Sequence, residues 1–163
     1  MSEEVIKLEH LTKIEGHAKL NVKVEGRKVK RARIEVFEGA RFFEGIMRGR
    51  RYDEAGYLTS RICGICSQVH LITAWKAVEN ALGVEVTPQT YLLRELLLIG
   101  QILQSHILHL YFLALPDYLG ASSAIELAKT HPKELKRGLK IKRLANDLVT
   151  VVGGREVHSI TPT

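Results

Sequence analysis

From His17 to Val24, apolar and polar positions alternate, placing Ala18, Leu20, Val22 and Val24 on one face of a strand. After Glu25-Gly26-Arg27 the alternation resumes through Val29, Ala32, Ile34 and Val36. Two half-buried strands joined by a short turn predict an antiparallel hairpin. From Glu38 the pattern breaks up. Gly39, Gly45, Gly49 and Gly56 among many charges predict a loop-rich connection with short helical turns. Beyond Cys66 the period becomes helical: Val69, Ile72, Ala77 and Leu82 fit a helix that ends at Gly83. Thr87 then reads as an N-cap with Pro88 in the first helical position. It opens a long helix running to about Leu115, where Pro116 should stop it. This helix is apolar on nearly every face, which predicts a place inside a bundle. A last helix covers Pro132 to about Val151, with Ile141, Leu144, Ala145 and Leu148 at helical spacing and Gly153-Gly154 ending it. The fold class is therefore α+β, mainly α: an amino-terminal antiparallel hairpin followed by a long-helix bundle. The division falls into a hairpin and loop-rich unit, 1–56, and a helical body, 57–163. The run GGREVHSITPT is followed by no closing element, and the chain reads as though cut.

Composition changes this picture little. With 163 residues, 45% of them hydrophobic and 26% charged, the chain resembles an ordinary globular protein able to bury a core. Its net charge of +6 invites nucleic acid or an acidic partner. The basic residues, however, are spread over 27–33, 41–51 and 133–143 without interleaved aromatic rings, so nucleic acid is not expected. The first ten residues, MSEEVIKLEH, carry no apolar signal region. The apolar stretch from Tyr91 to Leu119 is interrupted by Arg94, Glu95, Gln101, Gln104, His106 and His109. It is read as a helix buried in protein, with no transmembrane segment. Two cysteines three residues apart make a disulfide framework implausible, and the expected location is cytoplasmic.

Those two cysteines carry the chemistry. Cys63 and Cys66 form a C-x-x-C pair, a spacing that lets two thiolates reach one metal. A zinc ribbon would need a second ligand pair, and a dithiol redox site would need a βαβ context; the sequence offers neither. A helix starting near Cys66 would favour a thiolate at its amino terminus, and His70, one turn on, faces the same side. A histidine there can hydrogen-bond a metal-bound thiolate and tune it. Thiolates select soft or borderline metals, nickel and iron among them. His106 and His109 are expected as hydrogen-bonded core histidines, and Arg155 and His158 as loop anchors.

The run R-I-C-G-I-C-S-Q-V-H resembles the R-x-C-G-x-C-x-x-x-H signature of nickel–iron hydrogenase large subunits. KIEGHAKL (13–20), EGARFFEGI (38–46), GRRY (49–52), SHILHLYFLALPD (105–117) and GGREVH (153–158) fit the same family in the same order. The resemblance thus spans nearly the whole chain. It implies part of the hydrogenase large-subunit fold and the reversible heterolytic splitting of dihydrogen. By the same resemblance, Cys63 would be a terminal nickel ligand and Cys66 a thiolate bridging nickel and iron. His70 would hydrogen-bond the bridging sulfur, Glu15 would pass protons, and Glu44 would bind magnesium or a similar ion. The implied cofactor is a nickel–iron centre whose iron carries carbonyl and cyanide ligands. One implied partner is an iron–sulfur small subunit. Diaphorase-type electron-transfer subunits, as in soluble multi-subunit hydrogenases, are others. On position alone, Glu15 would be a solvated turn acid and Glu44 a member of a surface salt bridge.

The sequence departs from the family in one important way. No cysteine follows Cys66, so the second pair, D-P-C-x-x-C-x-x-H in the family, is missing. Ser159 also stands where the family often has proline. A truncated or split large subunit is the leading expectation. A non-enzymatic module of the same fold is the alternative, and kinship to the quinone-site subunit of respiratory complex I, which generally lacks the paired cysteines, is less favoured.

Overall fold

The structure is a computed structural model that describes residues 3–162. The chain divides into two compact units, Met1–Phe42 and Phe43–Thr163. That boundary precedes the 56/57 division drawn from the pattern of the sequence.

The first unit is a three-stranded antiparallel sheet in the order β1-β2-β3, with β1 at Glu3–Leu8, β2 at Ala18–Glu25 and β3 at Lys28–Val36. The predicted hairpin is β2–β3. Strand β1 has no clear signal in the sequence, because EEVIKL offers only three apolar residues among charges. It pairs Ile6 with Val22 and Leu8 with Leu20. The three-residue step from Val29 to Ala32 reflects a register shift in the ladder. Lys23 pairs with Arg31 while Val24 pairs with Val29, so Lys30 is the extra residue of a bulge. The bulge keeps Val29 on the same face as Ala32, Ile34 and Val36; without it the alternation would turn Val29 over.

The second unit is helical. Helix α1 (Ala40–Met47) crosses the unit boundary, and α2 (Ala55–Thr59) lies between 3₁₀ turns at Tyr52–Glu54 and Ser60–Ile62. Helix α3 spans Ser67–Leu82 and closes on Gly83 in the left-handed region. Helix α4 (Pro88–Leu108) opens as expected, the Thr87 hydroxyl accepting from the Thr90 amide at 3.1 Å. Pro116 does not stop it. The helix widens into a π segment, His109–Ala114, and continues as α5, Leu115–Tyr118. Proline lacks an amide donor and clashes with the carbonyl four residues back in α geometry; a wider turn displaces that carbonyl and lets the rod go on. Helix α6 (Ala124–Thr130), capped by the Ser123 hydroxyl, is only seven residues long, too short for a periodic signal. Helix α7 spans Pro132–Gly153 and ends on the left-handed Gly154.

The core lies where α3, α4 and α7 meet, at Ile72, Leu97 and Val149. Helices α4 and α7 approach closely at Gly100, where an added Cβ would lie 2.7 Å from a Val149 methyl. Only one seam of α4 is buried: Arg94, Leu97, Gly100, Gln101 and Gln104. Leu92, Ile99 and Ile102 on other faces remain 62%, 46% and 48% exposed, so the expectation of a helix enclosed on all sides is corrected. By length and composition alone, the rod from Pro88 to Tyr118 is also long and apolar enough to cross a membrane. Its polar residues Arg94, Gln101 and Gln104 turn inward to protein partners, as those of a core helix do. Arg94 donates two hydrogen bonds to Glu79, at 3.0 and 2.6 Å, and Gln101 accepts from the Val69 amide at 3.0 Å.

Candidate metal centre

The cysteine run lies at the amino terminus of α3. Cys63 is extended (φ −146°, ψ 138°) after the 3₁₀ turn Ser60–Ile62, and Cys66 is the N-cap residue of α3. Their Cα atoms are 5.4 Å apart and their sulfurs are joined as a disulfide. Thiolates were expected. The spacing that brings two sulfurs to one metal also brings them to each other, and two electrons and two protons convert the bonded pair into two thiols.

Two features favour thiolate character in that reduced pair. The Cys66 amide donates to the Cys63 sulfur at 3.1 Å, and the α3 amino terminus stabilises negative charge at Cys66. Both cysteines are half-buried, while Gly64 between them is open, with nothing within 4 Å of where a Cβ would stand. Two soft donors on an open loop suit nickel or iron. Among the described residues, however, no group of three or more His, Cys, Asp or Glu side chains converges to hold a metal. By itself the pair offers two sulfur donors, with no third donor beside them among the described residues.

The other expected residues do not join this pair. The His70 amide donates to the Cys66 carbonyl at 3.3 Å, but the His70 ring makes no hydrogen bond to a sulfur among the described residues. Glu44, on α1, is exposed and forms no ion pair among the described residues. His106 is exposed on α4, its ring bonded to the Ile102 carbonyl at 2.8 Å, and His109 is exposed too, so neither is a core histidine.

Glu15 lies in the first unit, exposed on the loop before β2. On that same loop His17 pairs with Glu38, its backbone amide and its ring (Nδ1–Oε1 3.0 Å) both bonded to the carboxylate. Those bonds hold the Glu38 carboxyl below its ordinary value. Gly16 lies between Glu15 and His17 at φ +88°, where an added Cβ would be 3.0 Å from the Glu38 carboxylate. This joins the IEGH and EGAR runs, a link the sequence does not disclose.

Also absent from the sequence reading is a buried polar network behind the cysteine run. The His158 amide donates to the Ser67 hydroxyl at 3.1 Å and the His158 ring to the Ser60 carbonyl at 2.9 Å. The Gln68 amide group donates to the Glu156 carbonyl at 3.2 Å, as does that of Gln104. Gln104 also reaches Asn146 at 2.9 Å, and Asn146 accepts from Lys142, whose ammonium burial pushes below its ordinary value against a weaker pull from Glu156. Ser60, Ser67, Gln68 and Ser159 are essentially solvent-free. The signal for this network is the run GGREVH, which reads as a loop until its partners are seen.

The profile of the family described as nickel-dependent hydrogenase matches residues 41–159. The chain is 43% identical over 156 residues to the alpha subunit of sulfhydrogenase 2 from Pyrococcus furiosus, covering 96% of this chain and 38% of that relative. It is 36% identical over 165 residues to a chain of the F420-non-reducing hydrogenase from Methanothermobacter thermautotrophicus, covering 96% and 35%. Among solved structures, an NAD+-reducing [NiFe]-hydrogenase in the H2-reduced state superimposes with a TM-score of 0.83 at 30% identity, covering 98% of this chain and 37% of that one. The Ni-Fe-Se hydrogenase of D. vulgaris Hildenborough gives 0.79 at 30% identity, covering 98% and 36%. The chain thus spans less than two fifths of the length of these relatives. With the cysteine run, its flanking motifs and the fold in agreement, the chain belongs to the nickel-dependent hydrogenase family.

Proposed function

We propose that this chain forms the amino-terminal part of the catalytic large subunit of a nickel–iron hydrogenase, which oxidises dihydrogen reversibly to protons and electrons. The observation that carries the reading is Cys63 and Cys66 side by side at the α3 amino terminus, within a fold that superimposes on hydrogenases along almost its whole length. When bound, a nickel–iron centre with carbonyl and cyanide on iron supplies the redox chemistry. The chain's own residues hold and tune. Cys63 and Cys66 would hold the centre as thiolates, each favoured by the amide or the helix end beside it. His70, half-buried one turn along α3, would donate to the Cys66 sulfur. Glu15, a carboxylate on an exposed loop, would pass protons, and Glu44 would bind magnesium. Two further thiolates have to come from sequence beyond these residues. Electrons would leave through a small iron–sulfur subunit, then through diaphorase-type subunits, in the cytoplasm.

The bonded cysteine pair and the lack of a third donor among the described residues favour one second reading, a metal-free module of the same fold. Hydrogen-dependent dye reduction by the whole assembled protein separates the two. In the enzyme reading, Cys63→Ser or Cys66→Ser lowers the rate by on the order of a hundredfold or more, since a lost ligand dismantles the site. Equal rates in wild type and both variants contradict it.

A further inference from the structure

We infer that His158 is a positioning residue for the cysteine pair, a clamp that fixes both ends of the loop carrying Cys63 and Cys66. The inference rests on the reading of those cysteines as a functional pair. Ser60 stands three residues before Cys63, and Ser67 directly follows Cys66. His158 is 98 residues from the first and 91 from the second, yet it donates to both, from the ring Nδ1–H to the Ser60 carbonyl and from its amide to the Ser67 hydroxyl. One residue reaches both because its backbone is left-handed (φ +55°), a conformation that histidine adopts more readily than most side chains. The anchors are dry: Ser60 is 2% and Ser67 0% exposed. Hydrogen bonds in such surroundings are stronger than exposed ones and costly to lose.

The tip of the loop is open, with Gly64 exposed. With both stems held, the sulfurs stay close whether they are bonded to each other or share a metal. Proximity of this kind raises the effective concentration of one thiol at the other.

The test is the thiol–disulfide equilibrium of Cys63 and Cys66 in the 163-residue chain, measured in glutathione buffers by thiol labelling, with no metal added. His158→Ala should lower the equilibrium constant for the disulfide by roughly fivefold, because freeing the Ser60 stem lowers the effective concentration of one thiol at the other. His158→Asn, which tolerates the left-handed backbone and keeps a donor near the Nδ1 position, should restore it to within about twofold. Ser67→Ala, which removes the acceptor at the other stem, should lower it as His158→Ala does and decides the matter if His158→Ala does not fold. Trp75→Phe, which breaks the Trp75 hydrogen bond to the Pro162 carbonyl and removes no hydrogen bond to Ser60 or Ser67, should leave it unchanged. The clamp is overturned if His158→Ala and Ser67→Ala lower thermal stability without moving the equilibrium, or if His158→Asn behaves like alanine. A lack of nickel in the assembled protein would instead sink the hydrogenase reading and leave this result standing.

Discussion

The sheet unit and the helical unit treat their apolar residues in opposite ways. In the sheet, Ile34 and Val36 line up with Val29 on one face yet remain 63% and 69% exposed, and Ala18 is the buried apolar residue. In the helical unit, Leu71, Leu97, Leu127 and Val149 are wholly buried, and Ser60, Ser67, Gln68 and Ser159 are buried with them. Cohesion where the cysteines sit comes from an apolar core backed by satisfied polar groups. Cohesion in the sheet comes from the backbone ladders, with an apolar face left open of the kind that packs against further protein. The position of the site follows from this contrast: it stands on the unit that the chain itself makes rigid.

The contrast can be broken first at the core. Leu97→Ala removes a fully buried side chain between α3 and α7 and should cost about 3 kcal/mol of stability in urea denaturation of the chain. A loss below about 1 kcal/mol would show that the helical unit is not tightly packed. The matching change in the sheet, Ile34→Thr, should cost less than about 0.5 kcal/mol in the same measurement, because the side chain is largely in water already. A cost comparable to that of Leu97→Ala would show that this face is covered and the comparison false.

The smallest effect concerns pH. The native carboxyl of Glu38 is held below its ordinary value of 4.5 by the His17 hydrogen bonds. A depressed carboxylate contributes stability above its unfolded-state pKa and loses it as pH falls through the lower native one. The contact between His17 and Glu38 should therefore hold at neutral pH and loosen only in acid, below the ordinary value of 4.5. Carbon-detected NMR titration of Glu38 reads this directly, and His17→Ala, which removes the ring bond and keeps the amide one, should raise the midpoint towards the ordinary carboxylate range.

Much of this is legible in the residues. Thr87, Pro88, Gly83 and the Gly153-Gly154 pair mark helix ends because caps and breakers act locally, through the backbone of one or two positions. The β2–β3 alternation is readable for the same reason. Strand β1 is not, since its charged sequence becomes a strand only by pairing with β2. Pro116 misleads because a proline rule assumes α geometry, and the π segment before it relaxes that geometry. The cysteine pair is plain at three-residue spacing, but its clamp is not, because His158 meets Ser60 and Ser67 across more than ninety residues. Nor does any local rule say that the Cys63 and Cys66 sulfurs are bonded to each other, or that the His70 ring makes no hydrogen bond to them.

The central claim is that this pair is half of a nickel–iron cradle, and metal content tests it most directly. The assembled protein, isolated without oxygen, should contain nickel and iron at about one equivalent each beyond its iron–sulfur clusters, and Cys63→Ser and Cys66→Ser should each remove the nickel. Zinc in place of nickel, no metal at all, or nickel retained in both variants would contradict the account.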